Sequence, residues 1–125
     1  MKLFYLITGG AAGTLCRYYL SSALYSVWGN RFPAGTLAVN TAGCLLIGIF
    51  YALLQSRAFF PEAILFLFII GFCGAFTTFS SFVLDNSLLF EAGRFQTAAV
   101  YTFSSLVLGF AAFYGGTFLA RPFLK

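Results

Sequence analysis

The chain has 125 residues, of which 61% are hydrophobic and 8% charged, and it carries a formal net charge of +4. A soluble chain this apolar would have too little polar surface to cover itself, so the composition predicts a single domain embedded in a membrane. There is no histidine, and the acids are only Glu62, Asp85 and Glu91, so the parts for metal hydrolysis or paired-carboxylate catalysis are missing. We therefore expect no enzyme activity and no nucleic-acid partner.

Charged residues and Pro/Gly punctuation divide the chain into four hydrophobic stretches, at about residues 3–27, 34–55, 63–90 and 96–119. Each stretch exceeds the roughly 20 apolar residues that cross a bilayer core as a helix. The connections are short, which forces consecutive helices to be antiparallel neighbours. The sequence thus predicts an all-α membrane protein with one four-span domain over residues 1–125.

The cationic residues are a weak guide to orientation. With the N-terminus inside, the cytoplasmic cations would be Lys2, Arg57, Arg121 and Lys125, and the external ones Arg31 and Arg94. Two interpretations stay open: an ordinary chain with both termini inside, or a chain that inserts in both orientations and pairs antiparallel. Four helices packed around their own side chains leave no lumen, so any pore requires a second copy.

Two polar residues lie deep within the first two stretches. Arg17 follows a glycine-rich start and either snorkels to the interface or lies at the mouth of an ion pathway. Asn40 either joins helices through a hydrogen bond or points its amide donors at an anion. The glycines around it, Gly35, Gly43 and Gly48, would let another backbone approach closely in either case.

The cysteines Cys16, Cys44 and Cys73 match no metal or redox spacing, and we interpret them as small packing residues.

The third stretch contains the segment GFCGAFTTFSSF at residues 71–82. Its glycines and its hydroxyl run weaken a continuous helix, so a break within the membrane is one interpretation and a small-residue packing face is the other. Freed carbonyls at such a break can bind a desolvated cation such as Na⁺. Phe79 and Phe82 are spaced to share a helix side, where they either pack in a core or turn their positive ring edges toward a small anion.

Taken together, GTLAVNTAG in the second stretch, GFCGAFTTFSSF in the third, Arg17 and the four-span layout resemble the Fluc/CrcB family of fluoride channels. The third-stretch segment is similar to the family pattern G-x-x-G-G-x-T-T-F-S-T-F. The resemblance implies a multi-pass protein of the plasma or inner membrane that exports fluoride passively and selectively, giving fluoride resistance. It also implies an antiparallel, dual-topology homodimer with two fluoride pathways and one structural Na⁺ at the dimer interface.

The resemblance also assigns site residues. The fluoride pathway would contain Phe79, Phe82, Asn40, Thr78, Ser80, Ser81, Tyr101 and Ser105. Arg17 would be the vestibule arginine, and the backbone carbonyls of Gly74 and Thr77 would bind Na⁺ at the break.

Several positions depart from the family pattern. Ala75 replaces the second glycine of the usual pair, Ser81 stands where threonine is common, and Asp85 stands where glutamate is frequent. Gly109 and Phe113 occupy positions of the fourth stretch that carry hydroxyl residues in relatives, which leaves Ser105 as the best member of a polar track there.

Two other classes of function fit a small four-span protein. A proton-coupled exporter of cationic drugs needs a carboxylate within the membrane, and the first stretch carries Arg17 and no acid. A non-transporting scaffold subunit is favoured if Asn40 and the phenylalanines only pack. The sequence also leaves open whether the chain pairs with itself or with a sister subunit.

Overall fold

The structure is a computed structural model that describes residues 1–55 and 61–124. All regular structure in these residues is helical, as the sequence predicts. The helices are α1 (Lys2–Trp28), α2 (Ala34–Gln55), α3 (62–76), α4 (Phe79–Glu91) and α5 (Phe95–Ala120), with short 3₁₀ turns at Gly29–Arg31 and Arg121–Leu124. The connection around Arg57 lies outside the described residues.

Within residues 1–55 and 61–124, three segments are long and apolar enough to cross a membrane. They are Ala34–Gln55, Glu62–Glu91 and Phe95–Ala120, with mean hydropathies of 2.0, 2.1 and 1.5. They coincide with the second, third and fourth predicted stretches. The first predicted stretch coincides with α1, whose 27 residues span about 40 Å at the usual helical rise.

The chain is interrupted within the segment Glu62–Glu91. Thr77 and Thr78 are extended, with φ and ψ of −83° and 155° and of −150° and 116°, and they separate α3 from α4. Gly74 is helical, so the break starts three residues after the glycine that the sequence places at it. Glycine at 74 therefore belongs to the last turn of α3 and is not the point where the helix opens.

Most of α3 is a π-helix, Leu65–Cys73, and it packs backbone to backbone on α1. A Cβ atom at Gly9 would collide with the carbonyl of Leu67, and one at Gly13 would collide with the carbonyl of Phe72. Small residues permit this close approach, which replaces the hydrophobic driving force that is missing between helices in lipid. The sequence indicates the packing face through its glycines, but it does not predict the π geometry.

Glycines also bring α2 and α5 together. A Cβ at Gly48 would collide with the carbonyl of Phe113, and one at Gly116 would collide with the carbonyl of Leu45.

The cysteines only partly follow the packing interpretation: Cys73 is buried and Cys44 half-buried, whereas Cys16 is exposed on α1.

Two neighbouring glycines on α5 provide a direct test of this packing. We expect Gly116→Ala to lower the free energy of unfolding by about 1–3 kcal/mol, because the added methyl group meets backbone that has no space to move. Gly115→Ala is the matched control, since a Cβ there meets nothing within 4 Å. Thermal unfolding in detergent checks both variants, and equal midpoints for the two would contradict the packing.

Candidate functional site

A crevice of about 370 Å³ runs along α2, the break, α4 and α5. It brings together six of the residues that the sequence singles out: Asn40, Thr77, Thr78, Phe79, Phe82 and Ser105. Its remaining lining is Gly43, Cys44, Ile47, Leu106 and Phe113. No charged side chain is among these lining residues.

Asn40 binds the peptide of Thr78 through two hydrogen bonds. Its Nδ2 donates to the Thr78 carbonyl at 3.0 Å, and its Oδ1 accepts from the Thr78 N–H at 2.8 Å. The amide therefore satisfies both backbone groups of an extended residue, as a neighbouring β-strand would. One N–H of the amide is not used by either bond.

The hydroxyl groups after the break cap α4. The Thr78 Oγ1 accepts from the Ser81 N–H at 3.1 Å and lies 3.0 Å from the Ser81 Oγ and 3.2 Å from the Ser80 Oγ. Threonine is a favourable N-cap residue because its oxygen satisfies an N–H that has no partner within the helix. Ser80 and Ser81 thus form one hydroxyl cluster with Thr78, which is the member that lines the crevice.

The break also changes the carbonyls at the end of α3. The Cys73 carbonyl accepts from both the N–H and the Oγ1 of Thr77, at 3.1 and 2.9 Å. The Thr78 N–H donates to Asn40, so the Gly74 carbonyl loses the partner that a continuous helix would supply. The carbonyl of Ala75 accepts from Nε of Arg17 at 3.1 Å. Arg17 is thus a cation at the carbonyl end of α3, where the helix dipole favours it, and it does not line the crevice.

The aromatic residues form a row from the crevice into the core. The Phe79 ring is 77% exposed and lies 5.7 Å from the Phe82 ring, centroid to centroid. Phe82 is half-buried and lies 5.2 Å from the ring of Tyr101, which is fully buried. The Tyr101 hydroxyl donates to the Asp85 Oδ2 at 3.1 Å. The structure therefore places Tyr101 behind Phe82, whereas Phe79 and Phe82 line the crevice.

Sequence reasoning missed several lining residues that share one face of α2. The residues at 40, 43, 44 and 47 repeat at helical spacing, a signal that could have found Gly43, Cys44 and Ile47 from Asn40. A Cβ at Gly43 would collide with the methyl group of Thr77, so a larger residue there would force the Thr77 side chain to move.

Ser105, the best candidate of the fourth stretch for a polar track, lines the crevice. Its hydroxyl donates to the Tyr101 carbonyl at 2.7 Å. Phe113 also lines it, with an apolar ring. A Cβ at Gly109 would lie 3.6 Å from the Cys44 Sγ, so the position faces that thiol and carries no hydroxyl of its own.

A second crevice, of about 700 Å³, lies between the ends of α1, α2 and α4. Asp85 and Arg94 line it, together with Ser21, Ser22 and Thr36. Asp85 joins it to the aromatic row through its bond with Tyr101, so Tyr101 and Phe82 stand between the two crevices.

Comparison with known proteins identifies the family. A model of the family described as "CrcB-like protein, Camphor Resistance (CrcB)" matches residues 4–117. The chain belongs to this family.

Three relatives match over nearly their whole length. The chain is 38% identical over 120 residues to a protein of Maridesulfovibrio salexigens named "Fluoride-specific ion channel FluC", covering 96% of this chain and 95% of the relative. It is 44% identical over 113 residues to a protein of that name in Pseudomonas putida, with coverage of 90% and 91%. A Rhizobium leguminosarum protein of the same name is 43% identical, with 90% of each chain covered.

The two bonds of Asn40 lead to a stability prediction. We expect Asn40→Ala to lower the free energy of unfolding by about 1–3 kcal/mol, because the N–H and the carbonyl of Thr78 lose their partners away from water. Thr8→Ala is the control, since among the described residues that exposed hydroxyl bonds only the Phe4 carbonyl of its own helix. Thermal unfolding of the purified variants measures the difference, and an unchanged midpoint for Asn40→Ala would show that these bonds do not hold the break.

Proposed function

We propose that this protein is a fluoride-selective channel through which cytoplasmic fluoride leaves the cell passively, giving fluoride resistance. The observation that carries the proposal is the crevice in which Asn40, Thr78, Ser105 and two phenylalanine rings meet, in a chain whose relatives are named fluoride-specific ion channels. The family membership and the three apolar candidate spans support a multi-pass membrane protein that transports an ion and catalyses no reaction.

The crevice suits a small anion that must lose its water. Its donors are uncharged, and the rings of Phe79 and Phe82 can turn positive edges toward the ion. A narrow path with few, well-placed donors selects by size and by the cost of dehydration. No energy source is needed, because hydrogen fluoride enters as a neutral acid and an inside-negative potential drives the anion outward by about 2.3 kcal/mol per 100 mV.

The pathway requires a second copy. Phe79, which the resemblance assigns to the pathway, is 77% exposed in the single chain, and the crevice opens on the same side of α4. We therefore propose that α1 is a fourth span and that two copies pair antiparallel as a dual-topology homodimer. The pairing would close the open side of the crevice and produce two equivalent pathways.

The end of α3 supports a structural Na⁺ between the two copies. The Gly74 carbonyl is released from the helix, and Thr77 is extended, so both present the hard oxygen ligands that Na⁺ binds at broken helices. Gly74 is exposed in the single chain, which leaves its carbonyl accessible to a partner. The ion would hold the carbonyl ends of the two broken helices together, while Arg17 on the neighbouring Ala75 carbonyl limits how closely the cation can approach that residue.

The competing functions differ in what they need from the chain. A proton-coupled drug exporter needs a free carboxylate in the membrane, but Asp85 accepts a hydrogen bond from Tyr101 and α1 carries no acid. A scaffold subunit would leave fluoride trapped in vesicles. Fluoride efflux without a dependence on a pH gradient distinguishes the channel from both.

Phe82 offers the most direct test of the pathway. We expect Phe82→Ile to reduce fluoride efflux from liposomes at least about 100-fold, because it keeps apolar bulk but removes the ring edge, which raises the barrier to permeation by about 2.7 kcal/mol. Phe103→Ile is the matched control, since that ring is 70% exposed on α5 and lies outside the crevice lining. Efflux is followed with a fluoride electrode, and assembly is checked by size-exclusion chromatography. Wild-type efflux from an assembled Phe82→Ile protein would show that this ring only packs in the core and does not serve the pathway.

Removing Na⁺ tests the cation site. We expect exchange of Na⁺ for N-methylglucamine to lower the thermal unfolding midpoint of the assembled protein, because a ligand bound only to the folded form stabilises it by mass action. Titration of Na⁺ back into the sample should restore the midpoint with saturation, whereas equal rescue by choline would indicate ionic strength alone.

A further inference from the structure

A buried amide links the pathway ring to the neighbouring helix. Asn86 is 8% exposed and is the buried polar residue on α4. Its Nδ2 donates to the Phe82 carbonyl at 3.0 Å, and its Oδ1 accepts from the Thr102 Oγ1 at 2.9 Å. The amide therefore connects the backbone at Phe82 to α5.

A second bond runs beside it. Tyr101 donates to Asp85 at 3.1 Å, so consecutive residues of α4 bond consecutive residues of α5 with the same separation of 16 residues. A shift of α4 along α5, or a rotation about its own axis, would break both bonds together. Because a buried amide left half-satisfied is costly, the pair resists such movement more strongly than apolar contacts alone.

This constraint matters because α4 is short and follows the break. It has 13 residues, and it is joined to α3 by two extended residues that could act as a swivel. Asn40 holds this connection at Thr78, the residue that precedes α4, while the bonds to α5 begin one turn after Phe82. The ring of Phe82 lies between these two attachments and packs on Tyr101 at 5.2 Å.

We propose that Asn86 and Thr102 form a register clamp that positions the Phe82 ring for fluoride. The proposal rests on the proposed function and adds two positioning residues to it, neither of which lines the crevice. The clamp acts on the ring through the backbone of α4, so its loss should change ring placement and selectivity, and not stability alone.

The main variant is Thr102→Val, which keeps the shape of the side chain and removes the hydroxyl. Its matched control is Thr117→Val, the same change on the same helix, where the hydroxyl donates to the Tyr114 carbonyl and to no other group of the described residues. Thr102→Ser restores the donor. Thr102→Ala is the second variant should Thr102→Val not assemble.

Two measurements are made on the assembled protein. The first is liposome efflux of fluoride and of chloride, for which we expect Thr102→Val to slow fluoride about tenfold and to lower the fluoride-to-chloride ratio. The second is the ¹⁹F resonance of 4-fluorophenylalanine placed at position 82 alone, which should shift or split in Thr102→Val and return to the wild-type position in Thr102→Ser. Thr117→Val should match the wild type in both.

The outcomes separate the clamp from the channel proposal. Failure of the wild-type protein to move fluoride overturns the proposed function, while the ¹⁹F spectrum still reports whether the clamp places the ring. A wild-type resonance and selectivity in an assembled Thr102→Val or Thr102→Ala protein overturns the clamp. The combined Asn86→Leu and Thr102→Val changes should be no more severe than Asn86→Leu alone, and additive effects would also overturn it.

Discussion

The hydrogen-bonded pair between the Asn40 side chain and the Thr78 peptide is the interaction on which the rest of the structure depends. Within a bilayer, an extended peptide has no water to bind, so an interruption of a helix survives only when protein groups satisfy it. Asn40 supplies both a donor and an acceptor at the right depth. The interruption in turn makes α4 a separate helix, releases the Gly74 carbonyl and presents Phe79 and Phe82 to the crevice.

Glycines determine where that amide can reach. Gly43 lies one turn beyond Asn40 on α2, and the absence of a side chain there lets the Thr77 methyl group approach the helix. Gly9 and Gly13 do the same for α1 against α3. In lipid, close backbone contact and polar bonds provide the stability that apolar burial provides in water, so these positions matter as much as the polar residues themselves.

Much of this arrangement could be predicted from the sequence, because the hydropathy and the local composition of each stretch determine the spans and indicate the break. The apolar stretches follow from charge spacing, and the Gly and hydroxyl run of the third stretch indicates a break. The resemblance assigns both Gly74 and Thr77 to the break, but composition alone could not show that the helix continues through Gly74 and opens at Thr77 and Thr78, where a side chain 38 residues away binds the peptide. The hydrogen-bond partner of Arg17, which is the Ala75 carbonyl on the neighbouring helix, could not be predicted from the sequence either. Nor could the bonds of Asn86. Helical periodicity on α2 indicates that Cys44 shares the lining face with Asn40.

The electrostatic character of the crevice bears on how an anion could pass through it. A fixed cation would bind fluoride strongly and hold it, whereas conduction requires that the ion also leave. The cation nearest the break, Arg17, donates its Nε to the Ala75 carbonyl and is absent from the described lining of the crevice. The acid at the other end, Asp85, accepts a hydrogen bond from Tyr101 and lines only the larger crevice. A fluoride ion on the proposed pathway would meet a set of dipoles: amide, hydroxyl and ring edge. Each of these dipoles binds an anion weakly, so together they can replace its water without trapping it. An ion small enough to contact several of these groups at once is favoured.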